Sequence, residues 1–145
     1  MRIAIASDHA GFDLRVTVAE HLAALGHDVN DFGPAEKARC DYPDFAEKVA
    51  RSVASGEARV GVLCCGTGVG MSMAANKVHG VRAAVVSDSF SARATREHND
   101  CNVLCLGERV VGLGLALQIV DAFLGAEFEG GRHTGRVQKI MDLES

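Results

Sequence analysis

Short apolar runs recur along this chain, separated by longer stretches whose apolar residues return every three or four positions. The first pattern reads as buried strands and the second as amphipathic helices. Arg2-Ile3-Ala4-Ile5-Ala6-Ser7 reads as the first strand, followed by the loop Asp8-His9-Ala10-Gly11. A helix then carries Leu14, Val18, Leu22 and Leu25 on one stripe and ends before Gly26, placed as a C′ cap. His27 to Phe32 is a weaker strand, nearer an edge, and Gly33 to Asp41 is loop-like. Tyr42-Pro43 opens a second helix with Phe45, Val49 and Val53 at four-residue spacing, ended by Gly56. Val60 to Cys65 is the third strand, and helix formers run from Met71 to Lys77. Ala83 to Val86 is a fourth strand, and Ser87-Asp88-Ser89 starts a helix that reaches Asn99. Asn102 to Leu106 is the fifth strand. A long apolar helix from Val110 to Leu124 follows, with Leu113, Leu117, Val120 and Leu124 as its stripe. After Gly130-Gly131 a polar helix spans about 134–143.

Five strands alternating with helices predict an α/β fold: a Rossmann-like five-stranded parallel sheet in a three-layer α/β/α sandwich. A chain of 145 residues without linker, repeat or low-complexity segment suits a single domain. In such folds ligands sit beyond the carboxyl ends of the strands. Asp8-His9, Cys65-Gly66-Thr67 and Arg109 all fall there in sequence.

The stretch between the third strand and its helix carries the strongest signal. Gly66, Gly68 and Gly70 alternate directly after Cys65, so strand, glycine loop and helix follow one another. That geometry presents backbone N–H groups to an anion and lets the main chain approach a ligand. An ordinary tight connection would also use glycines. A dinucleotide fingerprint starting at Gly66 would need glycine at position 71, where Met71 stands, although Asp88 lies roughly twenty residues on as that motif asks. The strand is not the first in the chain, and no P-loop lysine follows. A small-anion or catalytic loop is the preferred reading.

Composition narrows the partners. The net charge is −4 with no Lys/Arg run, which argues against nucleic acid or an anionic membrane. No apolar run approaches the ~20 residues of a membrane span, and the first strand begins at Arg2-Ile3, leaving no room for a signal peptide. Five cysteines, an odd number, are expected to be reduced thiols in the cytoplasm. No C-x-x-C pair suggests structural zinc. Cys64, Cys101 and Cys105 read as buried and inert.

The remaining polar residues each have a structural use as well as a chemical one. Asp8-His9 can cap the first helix. His98, closing the fourth helix, suits a helix C-terminus when protonated. Arg132 and Arg136, one turn apart, can grip a phosphate or form a solvated basic face. Tyr42 can pack or touch substrate. His21, His27 and His79 have no clustered partner and read as surface residues.

Six motifs, in order, resemble the ribose-5-phosphate isomerase type B family, which also holds galactose-6-phosphate isomerase subunits. They are Ser7-Asp8-His9-Ala10-Gly11-Phe12, Asp41-Tyr42-Pro43, the stretch from Cys65 to Gly70 with Ala74-Ala75-Asn76-Lys77, and Glu97-His98-Asn99-Asp100 with Asn102-Val103-Leu104. Gly107 to Gly112 and Glu129-Gly130-Gly131-Arg132-His133 complete them. The resemblance implies reversible aldose–ketose isomerisation of a phosphorylated sugar, with neither metal nor cofactor. It implies a homodimer or dimer of dimers whose sites are shared between subunits, with the helix at about 134–143 at the interface. Some members place a glutamate after the glycine loop; Met71 stands here, which assigns this chain to the cysteine type. By resemblance Cys65 is the base, assisted by Thr67, and His98 opens the sugar ring. Asp8, His9, Tyr42, Gly66, Thr67, Gly68, Val69, Gly70 and Asn99 contact substrate, and His9, Arg109, Arg132 and Arg136 hold the phosphate. The physics agrees with these roles, because an enediolate needs a base at the α-carbon and donors for the developing oxyanion. The resemblance leaves open which sugar is bound: ribose 5-phosphate is favoured, with galactose or allose 6-phosphate, a four-carbon erythrulose phosphate, or a non-catalytic sugar-phosphate-binding subunit as alternatives.

Overall fold

A computed structural model describes residues 1–144. Among the described residues the elements run β1 (Arg2–Ser7), α1 (Phe12–Ala24), β2 (Asp28–Asp31), α2 (Tyr42–Ala54), β3 (Val60–Cys65) and α3 (Val69–Ala75), then β4 (Ala83–Val85), α4 (Ser89–Asn99), β5 (Val103–Gly107), α5 (Leu113–Leu124) and α6 (Arg132–Met141). The strands form one sheet in the order β2-β1-β3-β5-β4, and every neighbouring pair is parallel. The three-layer sandwich read from the sequence is the observed fold.

Strand composition follows position in the sheet. β3 and β5 are buried along their whole length and β1 everywhere but Arg2, which is why they read as near-continuous apolar runs. β2 and β4 are the edges; β2 is Asp-Val-Asn-Asp, polar as an edge strand should be. Side chains alternate across the sheet. Ile3, Ile5, Val62, Cys64, Leu104 and Leu106 pack under α1, α4 and α5, while Ala4, Ala6, Leu63, Cys65, Val103 and Cys105 pack under α2 and α3. A Cβ on Gly61 would stand 2.4 Å from Val49 Cγ1, so the missing side chain is what lets α2 lie close to β3. α6 leans on α4 and buries His133 and Val137. No helix among the described residues is long and apolar enough to cross a membrane.

Helix edges depart from the sequence pattern in informative ways. Leu25, placed on the stripe of α1, is its C-cap and is 54% exposed, because the chain turns away at Gly26 with φ +90°. α5 starts at Leu113 and not at Val110. The N–H groups of Val110 and Val111 both reach Gly107 O at 3.0 Å and form a tight turn instead. Its buried face is Ala116, Ile119, Val120 and Phe123, and Leu113 is exposed. α5 is apolar on nearly every side, so periodicity alone did not select the face. α3 starts earlier than the pattern implied, inside the glycine stretch at Val69, and α6 starts at Arg132. The His21 side chain, read as partnerless, pairs with Asp121 at 2.7 Å.

Candidate active site

β3 delivers Cys65 to the carboxyl edge of the sheet, and the chain leaves the sheet at Gly66. Gly68 has φ +80°, and a Cβ there would meet Val85 Cγ2 at 2.8 Å and the Leu106 carbonyl carbon at 3.0 Å. Glycine is therefore required both by conformation and by space. The turn aims the Gly68 N–H at Cys65 Sγ, 3.0 Å away. Thr67 Oγ1 accepts from the Val69 N–H at 3.2 Å. The Ser72 N–H is bonded to Gly68 O at 3.1 Å. Gly70 and Met71, in the first turn of α3, have no carbonyl four residues back within the helix, so their N–H groups are the natural donors to a bound anion.

Neighbouring loops close around this turn. The Glu108 N–H donates to Cys65 O at 2.9 Å and the Arg109 N–H to Gly66 O at 3.0 Å, fastening the loop after β5 onto the glycine loop. The Arg109 guanidinium lies over Gly66, with Nη1 3.2 Å from where a Cβ would sit. The Tyr42 ring, at the start of α2, covers Gly70; a Cβ there would stand 2.6 Å from Tyr42 Cζ. Asp8 Oδ1 accepts from Ala10 N–H (2.9 Å) and Gly11 N–H (3.1 Å), so the buried carboxylate shapes the turn into α1. His9 Nδ1 accepts from the Cys40 N–H at 3.3 Å. In the neutral ring that leaves the proton on Nε2, a donor free for a hydroxyl or phosphate oxygen.

The adjacent thiols face opposite sides of the sheet. Cys64 lies under α1 and α5 and is fully buried; Cys65 lies on the α2 and α3 side and is 5% exposed. Burial pushes the Cys64 thiol far above its ordinary pKa, and Cys65 and Glu108 add to that. Cys65 alone combines a position at the loop with a backbone N–H directed at its sulfur, which stabilises negative charge there.

A second cluster forms at the other end of the sheet. α4 runs back from the carboxyl edge and ends at Asn99, just before β5 begins. His98 Nε2 is 3.3 Å from Glu129 Oε1, and its ring stacks on that of His133 with centroids 4.5 Å apart and planes 14° from parallel. The Glu129 N–H donates to Glu97 O at 3.0 Å, tying the start of α6 to the end of α4. Arg132 and Arg136 stand on the exposed side of α6, and Asn99, the last residue of α4, is exposed as well. His133 is buried, and desolvation first, then Arg132 and His98, hold its pKa below the ordinary histidine value. The donor atoms of His98, Glu129 and His133 lie within 4.8 Å of one another. A metal must lie in the plane of each imidazole that binds it, and two nearly parallel stacked planes share no such point. The cluster is built as a stack, not as a cage.

One chain does not bring these two clusters together. Cys65 pairs with Gly107 at the end of β5, whereas α4 leads into the start of β5 at Val103. The four-residue step along the strand is about 13 Å at ~3.3 Å per residue. Cys65, Thr67, Asp8, His9, Tyr42 and Arg109 therefore lie in one group near the carboxyl end of β3, and His98, Arg132 and Arg136 lie toward the other end of the sheet. Sequence reading gave no role to Glu129 or His133, although their four-residue spacing places both against His98. It also missed Glu108, whose Oε1 accepts the Leu14 N–H at 2.7 Å and caps α1.

The fold is a parallel α/β sheet whose strand ends carry a glycine loop, a thiol and an arginine, an arrangement found in α/β enzymes. Residues 3–140 match the Ribose/Galactose Isomerase family. The chain is 52% identical over 143 residues to the ribose-5-phosphate isomerase B of Escherichia coli, covering 99% of this chain and 96% of that one. A Clostridium thermocellum ribose-5-phosphate isomerase B structure superposes with a TM-score of 0.98 at 56% identity, covering 99% of this chain and 97% of that one. A Mycoplasma genitalium ribose-5-phosphate isomerase B with bound ribulose-5-phosphate superposes with a TM-score of 0.95 at 48% identity, covering 99% and 95%. The chain belongs to the ribose/galactose isomerase family and is an aldose–ketose isomerase of phosphorylated sugars.

Proposed function

We propose that the protein interconverts ribose 5-phosphate and ribulose 5-phosphate through a 1,2-enediolate, with Cys65 as the base. The observation that carries this reading is the 3.0 Å approach of the Gly68 N–H to Cys65 Sγ at the mouth of an anion-binding loop. The Cys65 thiolate takes the proton from C2 of the open aldose and, as the thiol, returns it to C1, while the hydroxyl proton passes from O2 to O1 so that the C2 carbonyl forms as the C1 aldehyde becomes an alcohol. The N–H groups of Gly70 and Met71 face the charge that develops on the enediolate oxygens, and Thr67 fixes the loop through Val69. These donors do what a metal would otherwise do for the oxyanion, so the mechanism uses none. Asp8, His9, Tyr42 and Val69 line the sugar, Asn99 joins them from the same second copy of the chain as His98, and Arg109 and His9 hold the phosphate from the loop side.

His98, Arg132 and Arg136 reach that site from a second copy of the chain. Their placement toward opposite ends of the sheet within one chain supports this, as does the uncovered apolar surface around the edge strand. Phe90 is 81% exposed, and Val85, Met73, Ile140 and Leu143 are exposed as well. A cavity of ≈ 540 Å³ beside Ala83, Ala84, Ile140 and Leu143 runs between β4 and the C-terminal helix. In the assembled dimer His98 moves the proton between the anomeric hydroxyl and the ring oxygen, freeing the aldehyde, and the two arginines of α6 close over the phosphate.

A kinetic panel over ribose 5-phosphate, allose 6-phosphate, galactose 6-phosphate and erythrose 4-phosphate tests the substrate. Ribose 5-phosphate should give the highest kcat/KM. A six- or four-carbon sugar phosphate ahead of it by tenfold or more would reassign the substrate, since one hydroxymethylene is worth only about 1–3 kcal/mol in a pocket.

A further inference from the structure

We infer that Glu129 and His133 are positioning residues for His98, holding its imidazole so that Nδ1, and not Nε2, meets the ring oxygen and anomeric hydroxyl of the sugar. This rests on the ring-opening role proposed above for His98. Glu129 Oε1 stands 3.3 Å from His98 Nε2. The two are an ion-pair contact and not an aligned hydrogen bond, yet an anion beside Nε2 favours a proton there over a lone pair, which leaves Nδ1 as the bare acceptor of the neutral ring. Nδ1 can then take the anomeric proton while the same ring, protonated, passes a proton to the ring oxygen.

The stack supplies the second constraint. The His133 ring covers one face of His98 at 4.5 Å, so a partial turn about its Cβ–Cγ bond breaks the stack, and a half-turn, which keeps the stack, takes Nε2 away from the carboxylate. His133 is itself fixed, buried in the first turn of α6 with its N–H on Gly130 O at 3.0 Å. Its Nε2 is 3.9 Å from the same Glu129 oxygen, a weaker hold than His98 has. Burial first, then Arg132, His98 and Arg136, hold its pKa below the ordinary histidine value against the opposing pull of Glu129. The neighbouring carboxylates at the end of α4 are engaged elsewhere: Glu97 with Arg93, and Asp100 with Arg82 and Arg96. Glu129 is thus the anion that answers a charge on His98.

The test uses a property of the two substrates. Ribose 5-phosphate closes to a furanose and must be opened. Ribulose 5-phosphate cannot close on its phosphorylated O5, so exchange of its C1 proton with solvent needs no ring opening. In full-length Glu129→Gln, turnover of ribose 5-phosphate should fall about tenfold to a hundredfold. Exchange of the ribulose 5-phosphate C1 proton in deuterated buffer should stay within about twofold of wild type. His133→Phe, which keeps a stacking ring, should recover most of the aldose turnover that His133→Ala loses. Equal losses in turnover and exchange would mean that Glu129 only anchors α6, and the inference would fall. So would unchanged turnover in Glu129→Gln. If wild type itself fails to exchange the C1 proton, or His98→Asn spares aldose turnover, the ring-opening assignment falls as well, so the two failures are distinct.

Discussion

Replacing each of the two adjacent thiols by alanine separates chemistry from packing. Cys64 and Cys65 are both nearly out of solvent, so each substitution removes one sulfur from a close-packed layer. The transfer and cavity terms for so small a deletion come to about 1–2 kcal/mol. For a domain of this size that is a drop in Tm of roughly 2–8 °C. The stability cost should therefore be similar at the two positions. The activities should not be. Cys64 lies on the α1 and α5 face, is held protonated by burial, and meets no part of the glycine loop, so Cys64→Ala should keep most of its turnover. Cys65→Ala loses the proton-transfer group, a term worth roughly 10²–10⁴ in rate, while the phosphate-binding side chains remain. Exchange of the ribulose 5-phosphate C1 proton in deuterated buffer, followed by NMR, reads the chemistry. Calorimetry reads the stability, and inhibition by inorganic phosphate reads the anion site. Normal exchange in Cys65→Ala beside a dead, folded Cys64→Ala would refute the assignment of the base.

Three further outcomes follow from the same geometry. Arg136→Ala should raise KM for ribose 5-phosphate by roughly tenfold to a hundredfold, the worth of a charge-assisted hydrogen bond; an unchanged KM would remove Arg136 from the phosphate grip. Gly70→Ala forces a methyl to within 2.6 Å of the Tyr42 ring, so Tyr42 must move, and KM should rise with little change in the Tm of the sheet core; unchanged kinetics would mean that Tyr42 does not border the substrate. The folded state holds the pKa of His133 below its unfolded value near 6.5, so the unfolded chain binds more protons below that pH and the stability His133 contributes declines as pH falls from there. His133→Phe should flatten the decline of Tm between about pH 6.5 and 5, and an identical decline in the variant would count against it.

Much of this fold is legible because its central strands are buried on both faces. β1, β3 and β5 therefore carry unbroken apolar runs, and the polar β2 declares itself an edge. Cys65 and the alternating glycines are equally legible, since a thiol followed by Gly66, Gly68 and Gly70 has few structural uses in combination. The face of α5 is not, because a helix apolar all round gives periodicity nothing to choose between. The placement of the motifs within one chain is not legible from their order, although the family they resemble implies a site shared between subunits. His98 and Cys65 are both strong signals, but only the direction of α4 and the register of β5 show that they stand at opposite ends of one sheet. Glu129 and His133 escape notice for a related reason: their meaning depends on the contact between the start of α6 and the end of α4, which is tertiary. Glu108 caps α1 from a loop 94 positions away in sequence, beyond any local capping pattern.

The central claim is that a working site needs Cys65 from one copy and His98 from another. Mixing two inactive variants tests it most directly. Cys65→Ala and His98→Asn, unfolded together and refolded as an equal mixture, give mixed dimers in half of the population. Each mixed dimer holds one site with both mutations and one with neither, so turnover of ribose 5-phosphate should recover to roughly a quarter of wild type. Either variant refolded alone should stay inactive. A mixture that contains mixed dimers by mass and recovers nothing would show that both residues act within one chain, and would contradict the shared site.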